Sequence, residues 1–265
     1  MASTSLDPRR VAFEGLRTTL SAQYRSASPE AFTLAEESIV RSGFAELDAA
    51  LGGGFPRGAM ATLEGMPGSG RSAVAARLLA GATANGGLGA LIEMPHGPEG
   101  AFYPPALLAA GVDLARLLIV HPSDAAGVAR AADIVLRSAA FGVVVLPAVA
   151  LRAAVWTRLG SLTHRANAVL IALGVEASLE LRYFASLRVR LRATEVRFAG
   201  SGLFGTLAGI GIEAAILKHK HAAPGKRAHF TCTTFESQGA PLGATRQREL
   251  TDVSTPRHIR TAQDA

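Results

Sequence analysis

The feature that most constrains this chain is the stretch Gly65-Met66-Pro67-Gly68-Ser69-Gly70-Arg71-Ser72, which follows an apolar run at Ala59 to Glu64 and opens a helical pattern at Ser72 to Ala84. It matches the phosphate-loop spacing G-x-x-x-x-G-K-[ST] at every fixed position except the lysine, where Arg71 stands. Glycines there let the backbone curl so that its N–H groups converge on an anion, and the following helix adds partial positive charge at its first turn. Ser72 is placed to reach a magnesium ion. Such a loop joins a strand to a helix, so it commits its surroundings to an α/β arrangement.

The flanking pattern agrees. Strand-like apolar runs at Leu88 to Met94, Arg116 to His121, Phe141 to Leu146 and Ala168 to Leu173 alternate with helical stretches at Pro104 to Gly111, Ser123 to Ala139 and Leu151 to Arg165. Ser123 is the expected N-cap of its helix, with Val128, Ala132, Val135 and Ala139 on one face. Continuous apolar runs are typical of parallel strands buried on both faces. After about residue 180 the period changes to two: Leu187, Val189 and Leu191 alternate with Arg188, Arg190 and Arg192, and 211–220 and 227–235 flank a turn at Ala222-Ala223-Pro224-Gly225. The expected fold is α/β: a phosphate-loop core with a mostly parallel central sheet, flanking helices and antiparallel C-terminal strands. Three parts are expected: an N-terminal helical segment (1–40), the core (41–238) and a polar, flexible tail (239–265).

Composition sets the outer bounds. With 265 residues, 49% hydrophobic and 18% charged, the chain can bury a large core, which excludes disorder over most of its length. The longest apolar run, Phe141 to Leu151, is about half of what a bilayer requires, and the N-terminus lacks an apolar signal core, so a cytoplasmic protein is expected. The lone Cys232 can form neither an internal disulfide nor a cysteine metal cluster, and its neighbours suggest a small core residue in a strand. The net charge of +6 permits a nucleic-acid or acidic partner without requiring one. Nearly all of the basic residues are arginine; the three lysines, Lys218, Lys220 and Lys226, cluster.

The catalytic complement of the loop is altered. Lysine is a compact charge, whereas the guanidinium of Arg71 is larger and planar, so the exchange changes reach and geometry while keeping charge. The strand expected to end in a magnesium-holding aspartate reads Val143-Val144-Val145-Leu146-Pro147, with Pro147 at the acidic position. A carboxylate to orient water would have to be Glu93 or Glu99, and Glu93 also reads as an ordinary strand-end residue.

Over 43–235 the sequence resembles the RecA family. The resemblance lies in Ser42 to Gly58, which is similar to the lead into that family's nucleotide loop, in Ala110-Gly111-Val112-Asp113 with Leu117-Leu118, in Leu181 to Arg188, similar to the strand after the second DNA loop, and in Leu217 to Pro224. The last implies that Lys218 and Lys220 face a neighbouring protomer's nucleotide. By the same resemblance Pro95 holds the place of the catalytic glutamate, the first DNA loop is essentially absent, the second is reduced to about 174–180, and the C-terminal domain is missing. That combination resembles the ImuA family of short RecA-like accessory proteins. The resemblance implies a non-catalytic role in damage-induced translesion synthesis, with ImuB, an error-prone replicative-type polymerase α subunit reached through ImuB, and RecA as partners. It implies no required cofactor, with weak binding of ATP or ADP and magnesium through Gly65, Gly68, Ser69, Gly70, Arg71 and Ser72. A divergent DNA-dependent ATPase using Glu93, or a division inhibitor similar to SulA, are the alternatives.

Three further groups stand out. Phe13, Leu16, Leu20 and Tyr24 form an amphipathic helix stripe that could cover its own domain or reach a neighbour or a RecA filament. Arg182, Arg188, Arg190, Arg192 and Arg197 form a candidate patch for DNA or an acidic partner, or a solvated outer face. Lys218 and Lys220 share a strand face and could serve a protomer contact or a structural one. His219, His221 and His229 lack a carboxylate or cysteine at a fitting offset, so no metal site is expected.

Overall fold

The computed structural model describes residues 38–199 and 206–233, apart from 98, 221 and 223. The helix stripe at Phe13, Leu16, Leu20 and Tyr24, residue His221 and the tail from 239 onward lie outside the described residues. A two-stranded sheet pairs β1 (Ile39–Val40) with β2 (Phe55–Pro56) across α1 (Ala45–Leu51). An eight-stranded sheet then runs in the spatial order β10-β9-β8-β3-β7-β6-β4-β5. Its strands in chain order are β3 (Ala59–Glu64), β4 (Gly89–Ile92), β5 (Leu117–Val120), β6 (Val143–Pro147), β7 (Val169–Gly174), β8 (Leu187–Ala199), β9 (Thr206–His219) and β10 (Arg227–Thr233). From β8 to β5 every neighbouring pair is parallel, and β9 and β10 add antiparallel strands on one edge.

Five helices complete the described core: α2 (Arg71–Thr83), α3 (Pro104–Ala109), α4 (Ala125–Arg137), α5 (Ala153–Ala166) and α6 (Leu179–Phe184). The central strands divide their side chains between two layers. Ala61, Leu63, Val143, Val145, Ile171 and Leu173 pack with α1 and α2, whereas Met60, Val144, Leu146, Leu170 and Ala172 pack with Trp156 and Leu159 of α5 and Val128 of α4. The continuous apolar runs are thus two interleaved period-two patterns, as a strand covered on both faces requires.

Some boundaries differ from expectation. Asp124, not Ser123, caps α4: it is extended (φ −148°), and its carboxylate accepts from the Gly127 N–H at 2.6 Å. Ala139 is not on the α4 face; it follows the helix end in the left-handed region (φ 52°). Helix α3 stops at Ala109, ahead of Gly111 at φ 95°. The stretch Leu181 to Arg188 is not one strand: α6 occupies its first half, and the Ser178 hydroxyl caps that helix by accepting from the Leu181 N–H. No helix among the described residues is long and apolar enough to cross a membrane.

Candidate functional site

In a parallel sheet the carboxyl ends of the strands form one edge, and ligands gather there. Here that edge brings together the loop after β3, Glu93 after β4, Pro147 at the end of β6 and residues 175–178 after β7. The loop is built as its glycines predict. Gly65 (φ 155°) donates to the carbonyls of Gly174 and Val175, both at 3.1 Å, and a Cβ there would lie 2.5 Å from the Leu191 carbonyl. Gly70 (φ 92°) precedes α2, and a Cβ on it would lie 2.2 Å from Ile212 Cδ1 of β9. Both positions therefore exclude side chains on conformational and steric grounds together. The loop closes on itself through the Ser69 N–H, which donates to the Met66 carbonyl at 3.0 Å. Ser69 is 4% exposed, and its hydroxyl has no hydrogen-bond partner among the described residues.

Arg71 does not project into solvent. Its guanidinium donates to the Gly65 carbonyl and pairs with Glu99 at 2.5 Å, and the side chain is only 6% exposed. Burial pushes the Glu99 carboxyl upward, outweighing the opposing charge and hydrogen bond of Arg71. Glu99 sits on the segment joining β4 to α3, where Met94 and Gly100 form an antiparallel bridge. Glu93 is equally engaged: one oxygen accepts from the Phe102 N–H at 2.7 Å and the other lies 2.9 Å from His121 Nε2. Ser72 is exposed at the first turn of α2, and Pro147 is buried at the end of β6.

The arginine stripe turns out to be largely paired within the chain. Arg188 faces Glu64 bidentately, at 2.8 and 3.0 Å, and Arg190 lies 3.7 Å from both Glu64 and Glu176. Arg182 pairs with Glu176 at 2.5 Å, Arg192 with Glu213 at 3.4 Å, and Arg197 with Glu195 two residues earlier. Arg190, Arg192 and Arg197 remain at least half exposed; Arg188 is not available to a partner. Lys218 and Lys220 diverge. Lys218 Nζ donates to the carbonyls of Arg182 and Tyr183 at 2.9 and 2.8 Å, satisfying the last turn of α6, while Lys220 is exposed past the end of β9. His219 is buried against the Leu51 carbonyl and His229 lies 3.9 Å from Glu213, so the two point to different neighbours. Cys232 is half-buried in β10, with its thiol pushed up by burial. Sequence reasoning missed Glu64: it reads as a strand-end residue, and its partner lies 124 positions away.

A family model described as the RecA N-terminal domain matches residues 32–162. Over that stretch, about half of its length, the chain is similar to the RecA N-terminal domain. The RecA protein of Picosynechococcus sp. is 36% identical over 113 residues, which is 43% of this chain and 31% of that relative, and RecA of Nostoc punctiforme is 38% identical over 111 residues. The chain thus matches about a third of the length of these relatives. RecA of Salinispora tropica aligns over 84% of this chain and 71% of its own length at 26% identity. The crystal structure of the RadB recombinase covers 74% of this chain and 96% of its own, with a TM-score of 0.58 and 20% identity, which establishes the shared fold.

Proposed function

We propose that this RecA-like chain is a non-catalytic accessory protein that acts through protein contacts in damage-induced translesion DNA synthesis. The observation that carries the reading is the state of the phosphate loop: Arg71 stands in the lysine position and is tied to the Gly65 carbonyl and to Glu99. The fold family implies a magnesium-bound nucleotide, and the loop backbone suits a phosphate. The side chains around it do not suit a metal held for hydrolysis. Ser72 has no carboxylate opposite it at the end of β6, where Pro147 stands, and Glu93 is committed to the Phe102 amide and His121. Any ATP or ADP is therefore bound weakly and not turned over.

The DNA-handling parts are reduced as well: only residues 148–152 link β6 to α5, and 175–178 link β7 to α6. The resemblance to the ImuA family supplies the class of partner, namely ImuB, through it an error-prone replicative-type polymerase α subunit, and RecA. The cytoplasm is the compartment this role requires.

The test has two parts. Purified full-length chain should show no ATP turnover above background, with or without single-stranded DNA; a rate abolished by Arg71→Ala would overturn the non-catalytic reading, and one abolished by Glu93→Gln would establish the ATPase alternative. In a binding assay the chain should retain ImuB and not the tubulin-like division protein. The reverse result would favour a division inhibitor similar to SulA.

A further inference from the structure

Glu99 stands between two spaces. On one side is a cavity of about 340 Å³ bounded by Gly68, Gly70, Arg71 and Ile212, and on the other a larger one of about 700 Å³ with Phe44, Phe102 and Phe230 in its walls. Ser72 and Glu99 line both. The position of Glu99 is set by its segment: Met94 bridges Gly100, the Gly97 N–H donates to the Met94 carbonyl at 2.8 Å, and the Phe102 N–H is held by Glu93. From there its carboxylate meets the Arg71 guanidinium at 2.5 Å.

We infer that Glu99 is a built-in competitor for the anion site of the phosphate loop, a carboxylate that must release Arg71 before a phosphate-bearing ligand can be held there. A carboxylate and a phosphate engage a guanidinium through the same charge-assisted hydrogen bonds, so the two anions contend for one cation. The pair also cancels the loop's only side-chain charge, and an incoming phosphate meets Glu99 as a like charge in a poorly solvated setting. The loop keeps the rest of its anion-binding equipment: the glycine-shaped backbone, the first turn of α2, and the buried Ser69 hydroxyl that has no partner among the described residues. Burial pushes the Glu99 carboxyl upward, so the protonated form that frees Arg71 is reached at a higher pH than for an ordinary glutamate. The charged and titratable groups lining the two spaces beside it are Arg71 and Arg77 on α2, Glu46 on α1, Tyr103 just ahead of α3 and Cys232 on β10.

This inference rests on the reading of the loop as an anion cradle without turnover, and the two fail separately. ATP turnover by the wild-type chain overturns that reading and does not bear on the competition. The competition is tested by titration calorimetry of the full-length chain with inorganic pyrophosphate at fixed ionic strength. Glu99→Gln and Glu99→Ala are each measured alone and combined with Arg71→Met, with circular dichroism to verify folding; either Glu99 variant suffices. The expected result is tighter pyrophosphate binding in the single Glu99 variants, on the order of tenfold, and loss of that gain when Arg71 is replaced. Binding no tighter than wild type overturns the inference. So does a gain that persists in the Arg71→Met background, because it would reflect general charge and not release of this guanidinium.

Discussion

Glu64 closes β3 one residue before the phosphate loop, with its side chain 2% exposed and that of Arg188 14% exposed. Its two oxygens take Arg188 Nε at 2.8 Å and Nη2 at 3.0 Å, and the Thr62 hydroxyl donates to it at 2.8 Å. Replacing Glu64 by Gln removes the anion and leaves a buried guanidinium without a counter-charge. Breaking such a pair from one side costs about 3–5 kcal/mol, whereas replacing both partners with apolar residues is near neutral or stabilising, because the desolvation of two charges then disappears with their attraction. Glu64→Gln is therefore expected to lower the unfolding free energy by about 3–5 kcal/mol, and Glu64→Leu with Arg188→Met to return it to within about 1 kcal/mol of wild type. Urea denaturation followed by circular dichroism measures both. A single-variant loss under about 1 kcal/mol, or a double variant as unstable as the sum of the singles, would refute the reasoning. The pH dependence gives a second check. Burial raises the Glu64 carboxyl, but the hydrogen bonds of Arg188 and Thr62 and the charges of Arg188 and Arg190 outweigh it and hold the group below its ordinary 4.5. The folded-state pKa is depressed, so this stabilisation is present in full above the ordinary value and is lost as pH falls through the depressed one. Wild type should lose more stability than the apolar double variant over that acid range.

Two other expectations concern the same edge of the sheet. Gly70→Ala forces a Cβ into the left-handed region and against Ile212, and should cost roughly 2 kcal/mol or more, with part of the loss recovered by Ile212→Val; an unchanged thermal midpoint in Gly70→Ala would contradict the packing described. Lys218→Met should cost about 1–2 kcal/mol by stripping the last carbonyls of α6 of their donor, and hydrogen exchange should quicken in Leu179–Phe184 before the rest of the fold; uniform exchange would argue against the capping role.

How much of this was legible in the chain depends on the range of each interaction. The alternation of strand and helix over 59–174, the loop at 65–72 and the antiparallel close after 180 follow from local periodicity and from glycines whose φ values no other residue adopts readily. Errors at that level were small and local: the cap falls on Asp124, one residue after Ser123, because Asp124 is extended and its carboxylate reaches the Gly127 N–H. The arginine stripe was visible as a pattern. Its meaning was not, since whether Arg188 meets a partner or a carboxylate depends on β8 lying beside β3, with Thr62 opposite Arg188.

The sequence by itself determined that this chain folds around a phosphate loop on a parallel sheet, and that Arg71 stands at the lysine position of the loop pattern. Only the tertiary structure decided which buried charges meet. Strand order brings Glu64 to Arg188 across 124 positions, and the β4–α3 segment brings Glu99 to Arg71. Local chemistry fixes which conformation a segment prefers, but the partner of a buried charge is chosen by which elements become neighbours, and no periodicity along the chain encodes that.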